Sequence, residues 1–203
     1  MSTTISRHLD DATLMSFAAG ALSEPLAAAV SAHVSMCAQC RDQVRDMTLI
    51  GASLLGTAPA SSGPVSARAK PRGPMDGCAQ PPRREHASEL PAPIARKYAL
   101  TLEGIDWTRL GPGVWRHRLP LSPGAQGELY LIKLTPGCRL PLHGHAGAEL
   151  TLVLTGAFSD ETGEYRRGDV QEVDAGSEHQ PVGDPDEGCI CLIAAEGPYL
   201  LKG

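Results

Sequence analysis

Eight of the chain's 17 prolines fall between residues 59 and 93: Pro59, Pro64, Pro71, Pro74, Pro81, Pro82, Pro91 and Pro93. Each removes a backbone N–H and fixes φ, so prolines spaced this closely interrupt every helical or strand register. Residues 57–97 are therefore expected to form a flexible linker. The remainder must fold as two small units, 1–56 and 98–203. Charge divides the same way, with net values of −2, +4 and −7 for the three segments within a total of −5. The basic residues Arg68, Lys70, Arg72, Arg83 and Arg84 read as charges solvating the linker. An acidic chain is unsuited to gripping phosphate backbones, so no direct nucleic-acid contact is expected. No apolar stretch approaches a membrane span. The amino-terminal residues have no signal-peptide pattern, which points to the cytoplasm. Six cysteines in that setting read as thiols, metal ligands or redox groups rather than a disulfide scaffold.

The first unit has helical signals. Asp10 or Asp11 suits the N-cap of a helix carrying Leu14, Met15 and Phe17, with Gly20 at its stop. Ser23-Glu24-Pro25 opens a second helix, whose Leu26, Ala29, Val30, His33 and Val34 share one face. A third should run from the Cys37–Cys40 turn to about Leu55, burying Val44, Met47 and Leu54. Faces this rich in alanine make a thin core that needs another source of stability. His33-Val-Ser-Met-Cys37-Ala-Gln-Cys40 can supply it. A Cys-x2-Cys turn brings two sulfurs to about 2.3 Å from one ion, and His33 lies one helical turn earlier. His8 is the fourth candidate, so that a closed Cys2His2 zinc site would contribute folding energy directly. His8 followed by an Ala-rich helical pair and His33-x3-Cys37-x2-Cys40 resembles the zinc-binding anti-sigma domain. Members of that family sequester extracytoplasmic-function sigma factors. In the family a fourth helix helps to grip the sigma factor; here the corresponding stretch, about 61–80, carries Pro64, Pro71 and Pro74, which oppose a helix.

The last unit changes period. Short alternating runs at 114–119, 129–134, 150–154, 170–173 and 189–193 are separated by Gly and Pro turns, the mark of an antiparallel sandwich or barrel. His143 and His145, two apart, face one side of a strand. Glu149 follows a short turn, and His179 comes from a separate strand. Three imidazoles and a carboxylate converging inside a barrel would bind a divalent transition metal. The sequence Gly137-Cys-Arg-Leu-Pro-Leu-His143-Gly-His145-Ala-Gly-Ala-Glu149, with Gly176-Ser-Glu-His179, is similar to the two metal motifs of the cupin barrel, a double-stranded β-helix or jelly roll. It departs from them at Asp174, where Pro is usual, and in lacking the Asn that usually follows the last His. Cys189 and Cys191 sit on one strand face with Cβ atoms about 6.5–7 Å apart, beyond disulfide reach, and read first as buried thiols, with redox chemistry the alternative. Cys138 is an oxidation candidate if exposed, Cys78 and His86 belong to the linker, and His117 reads as a surface or packing residue.

A zinc anti-sigma domain joined to a cupin resembles the ChrR-type anti-sigma factors. The resemblance extends to Glu149-Leu-Thr-Leu-Val-Leu-Thr-Gly-Ala-Phe-Ser-Asp-Glu-Thr and to Cys189-Ile-Cys191. It implies a two-domain fold: an all-α zinc-stabilised bundle (1–56), a Pro-rich linker (57–97) and an all-β cupin (98–203). It further implies one zinc per domain, no catalysis, an extracytoplasmic-function sigma factor as partner, and release of that partner under singlet-oxygen or organic-peroxide stress. Two other functions fit the same ligands. One is a metal-dependent cupin dioxygenase or isomerase with an accessory zinc module; the other is metal homeostasis, with the linker coupling two occupancies.

Overall fold

The computed structural model describes residues 4–56 and 90–201. Helices α1 (Asp11–Ala18), α2 (Glu24–Met36) and α3 (Ala38–Gly56) form the amino-terminal unit. Asp10 caps α1 by accepting from the Thr13 N–H, which satisfies one of the helix's unpaired donors. Pro25 occupies the first turn of α2, where a missing N–H costs nothing. The expected face of α2 is buried at Leu26, Ala29, Val30 and His33.

Helix α3 departs from expectation. Its stripe of Cys40, Gln43, Val44 and Met47 turns inward, but Leu49, Ile50 and Leu54 are exposed, as is Met15 of α1. The difference in length accounts for this: the eight residues of α1 cannot cover all nineteen of α3.

The end of the stretch expected to be linker is also helical. Helix α4 (Ala92–Tyr98) packs against α2 and buries Ile94. Pro91 is its N-cap and Pro93 lies in its first turn, positions where proline starts a helix instead of breaking it. Residues 57–89, including 61–80 where a fourth sigma-gripping helix was in question, lie outside the described residues.

The rest is antiparallel β-structure. Strands β1 (Thr108–Gly111), β2 (Val114–Arg118), β3 (Glu128–Leu134), β10 (Cys189–Ala195), β5 (Glu149–Asp160) and β6 (Gly163–Arg166) lie in that order. Strands β7 (Val170–Val173) and β9 (Val182–Gly183) also pair with β5. A smaller sheet has the order β11 (Tyr199–Leu201), β4 (His143–His145) and β8 (Glu178–His179). This is the cupin-like sandwich expected. Gly156 lets the long β5 bend: its φ is +66°, and a Cβ there would run into the Gly188 carbonyl oxygen.

Both faces of the large sheet are buried. Tyr130, Val153, Phe158, Cys189, Cys191 and Ile193 point into the sandwich. Leu129, Leu131, Leu150, Leu152, Leu154 and Leu192 point outward, into one cluster with Leu14, Leu26, Ala29, Val30 and Ile94 of the helices. Helix α2 lies against β10 and β5. The helical unit thus draws its core from the sheet as well as from its own ligand cluster, and the two halves share an apolar interior. Leu131→Ala should remove about 2–5 kcal/mol. The helical far-ultraviolet signal and the fluorescence of Trp107 and Trp115, both in the β half, should then lose stability together. Separate transitions in equilibrium denaturation would show that the halves fold independently.

Candidate metal centres

Helix α2 and the turn into α3 carry three of the four amino-terminal candidates; His8 arrives from the segment before α1. His33 and Cys40 are fully buried, Cys37 nearly so, and His8 half-buried. His33 Nε2 lies 3.3 Å from Cys40 Sγ, and His8 Nδ1 lies 3.4 Å from Cys37 Sγ and 3.6 Å from Cys40 Sγ. With bonds of about 2.0 Å to nitrogen and 2.3 Å to sulfur, a tetrahedral zinc requires an N–S edge of about 3.5 Å. These three N–S distances match the edges of a zinc tetrahedron, and all four ligand atoms lie within 4.8 Å of one another.

Protonation points the same way. The His33 Nδ1–H donates to the Gly168 carbonyl at 3.0 Å, leaving Nε2 with its lone pair toward the sulfurs. Burial pulls the His33 imidazole down to about 4, which keeps it neutral and able to ligate. Burial, reinforced by Cys37, pushes the Cys40 thiol up to about 12. A thiolate in that position requires a cation beside it.

The cupin centre is built from β4 and β8, whose register sets His143 opposite His179. His179 Nε2 is 3.1 Å from the Nε2 atoms of both His143 and His145. The Nδ1–H of His143 donates to the Pro141 carbonyl, and that of His179 to Asp160 Oδ2 at 2.9 Å. Both rings consequently turn lone pairs inward, toward each other, with burial lowering the His143 pKa. Two lone pairs at 3.1 Å repel unless a cation lies between them, and three imidazole nitrogens at this spacing fit one divalent metal.

Glu149 does not join this group. The ligand atoms that gather within 4.8 Å of one another are those of His143, His145 and His179. Starting β5, Glu149 lies 3.4 Å from the other nitrogen of His145, Nδ1, and accepts from the Thr151 hydroxyl two residues along the same strand face. Its carboxylate is buried, lines the same cavity as His143 and His179, and has no Lys or Arg ion pair among the described residues. A buried carboxylate without a cation is costly, so the charge balance of the cavity also favours a bound metal.

Asp160 was not identified from the sequence. Its side chain is fully buried; besides His179, its carboxylate accepts from Gln171 Nε2 and from the Thr162 N–H and hydroxyl, bonds that hold its pKa down. It fixes the ring of His179 from behind, as carboxylates do for metal-bound imidazoles. The Asp160-x-Thr162 turn was legible, but its pairing with a residue nineteen positions away was not.

The inner cavity is about 50 Å³, and Cys189 and Cys191 form part of its wall. Both thiols are buried, and Cys191 is pushed well up by its contact with Cys189 and by burial. Cys138 is half-buried. A groove of about 350 Å³ outside shares His143, Tyr130 and Tyr199 with the cavity and carries Arg116 and Arg139 on its walls. His117 is half-buried on β2, its Nδ1–H donating to the Asp106 carbonyl.

Two results should follow. Cys37→Ser with Cys40→Ser should remove one metal per chain and lower the thermal midpoint, as read by metal content and calorimetry. Asp160→Ala should weaken the cupin centre about 10–100-fold in competition with a chelator.

Comparison with known proteins agrees with this arrangement. Residues 95–199 match the model of the ChrR cupin-like domain. Anti-sigma-E factor ChrR of Cereibacter sphaeroides is 38% identical over 202 residues, 98% of this chain and 93% of the relative. The crystal structure of Rhodobacter sphaeroides SigE in complex with the anti-sigma ChrR contains a similar chain, with a TM-score of 0.74 and 34% identity over 95% of this chain and 99% of that one. On the cupin match and the identity along its length, the chain belongs to the ChrR family of anti-sigma factors.

Proposed function

We propose that the protein is a cytoplasmic anti-sigma factor that holds an extracytoplasmic-function sigma factor inactive and releases it under singlet-oxygen or organic-peroxide stress. The observation that carries this reading is the whole-length likeness to a chain solved in complex with its sigma factor. Partial likeness to a cupin alone would have left catalysis equally favoured. Among the described residues no helix is long and apolar enough to cross a membrane.

The geometry supports a division of labour between the two halves. The helical unit holds its shape through a zinc bound by His8, His33, Cys37 and Cys40. Beyond it, Ile50 and Leu54 stand one turn apart on α3, with Leu49 beside them, each more than 60% exposed. An apolar stripe of this kind on a helix is a surface for a protein partner. The cupin half holds a second zinc on His143, His145 and His179, with Glu149 the carboxylate available to complete the set. There the metal supplies a charge that ties strands β4 and β8 together. The groove gives small oxidants a route to His143, and Cys189 and Cys191 are the oxidisable groups in the cavity wall.

Ile50→Asp with Leu54→Asp should weaken sigma binding at least about thirtyfold while leaving metal content unchanged. Unaltered affinity in a pull-down or calorimetric titration would remove α3 from the interface. In cells, His143→Ala should make reporter output the same with and without a photosensitiser. Normal induction in that variant would eliminate the cupin metal as the sensing element.

A further inference from the structure

The two metal centres meet at one short turn. Residues 166–170 join β6 to β7, and the turn is stitched to the amino-terminal segment by backbone as well as side chains. The buried Asp169 carboxylate accepts from the N–H groups of Ser6 at 2.7 Å and Arg7 at 2.9 Å through one oxygen. Its other oxygen accepts from the Arg166 N–H, holding the turn closed. The Val170 N–H donates to the Arg7 carbonyl, so residues 6 and 7 run against the start of β7 immediately before His8. The Gly168 carbonyl accepts from His33. Gly168 itself has φ +90°, and a Cβ there would stand 2.7 Å from Ile5 Cγ1, so the close approach needs glycine. Both histidines of the helical centre are thus positioned by a turn that belongs to the cupin.

The same element reaches the cupin centre at its other end. Gln171, the second residue of β7, donates through Nε2 to Asp160 Oδ2, the oxygen that also accepts from His179 Nδ1–H. From His33 to His179 there is an unbroken path: a hydrogen bond, four residues of backbone, and two further hydrogen bonds sharing one carboxylate oxygen. Along it Asp169 is 2% exposed and Gln171 3% exposed, so water does not replace these bonds at low cost.

We infer that the β6–β7 turn is a shared positioning element of the two centres, through which occupancy of the cupin site sets how firmly the helical site holds its metal. The inference rests on the reading that both clusters bind metal. With the cupin site filled, His179 is fixed, Asp160 is held, and Gln171 keeps β7 and the turn in register under His33 and His8. Loss of that metal frees His179 and relaxes the turn, so His33 loses its aligned acceptor. Coupling of this kind is reciprocal: the helical metal must favour cupin occupancy by the same factor.

The test uses the full chain loaded with Co2+. Charge-transfer absorption from Cys37 and Cys40 reports the helical centre, whereas the imidazoles of the cupin centre give none. A metal count taken first tests the underlying reading alone, and fewer than two ions per chain would overturn both ideas. Decay of the thiolate band in excess chelator then measures release from the helical centre. In His143→Ala, which empties the cupin site from its half-exposed side, release should be faster by about fivefold or more. Gln171→Met, with the cupin site still filled, should reduce the difference between filled and emptied protein, and Cys37→Ser should weaken cupin binding in a chelator competition. Equal release rates in wild type and His143→Ala overturn the inference. So does a difference that Gln171→Met leaves intact, since the route would then lie elsewhere.

Discussion

Burial of the outer face of the large sheet under α2 is the interaction on which the rest depends. Leu129, Leu131, Leu150, Leu152, Leu154 and Leu192 form an apolar surface that water would not tolerate bare, and Leu26, Ala29 and Val30 cover it. Short, alanine-rich helices have too little surface to fold on one another alone. Docked on the sheet they gain an interior, and docking brings His33 against Gly168. The amino-terminal ligand cluster is therefore a property of the interface as much as of the helices that carry it.

The two centres use one chemical device with different partners. In each, an imidazole is oriented by the bond its outer nitrogen donates: His33 to a backbone carbonyl, His143 to the Pro141 carbonyl, His179 to a carboxylate. The inner nitrogen is then free for a metal without any change of ring position. The helical set adds two thiolates and is closed, the character of a structural site. The cupin set has imidazoles facing a small cavity with a groove beyond it, a site that small molecules can approach. The two ligand sets thus differ in access: one is enclosed by protein and the other faces a cavity.

Leu49, Ile50 and Leu54 are the exposed large aliphatics of α3 among the described residues. Leu14, Leu26, Val30 and Ile94 of the helices are buried, whereas these three lie outside because α3 is longer than α1. That overhang lies on the same helix as Cys40, so a partner seated there would press on an element that carries one of the candidate ligands. Binding at α3 and integrity of the ligand cluster are mechanically linked by the stiffness of one helix.

Local chemistry was written in the sequence. The helix starts at Asp10 and Ser23, the Cys37–Cys40 turn, the paired His143 and His145, and the alternating strands all depend on neighbours a few residues apart, where spacing fixes geometry. Convergence of His8, and of His179, was legible through motif resemblance. Tertiary structure decided what depends on distant partners: that Leu54 stays exposed, that Pro91 and Pro93 start a helix, that Glu149 lies beside the imidazoles, and that Asp160 fixes His179. One signal was present but not exploited, for the run Cys189-Ile-Cys-Leu-Ile-Ala-Ala195 is apolar at every position, the pattern of a strand buried on both faces. It could tell that something covers the sheet. Only the folded chain shows that the cover is α2, because which surface fills that place is set by the complementary shape of two elements more than a hundred residues apart.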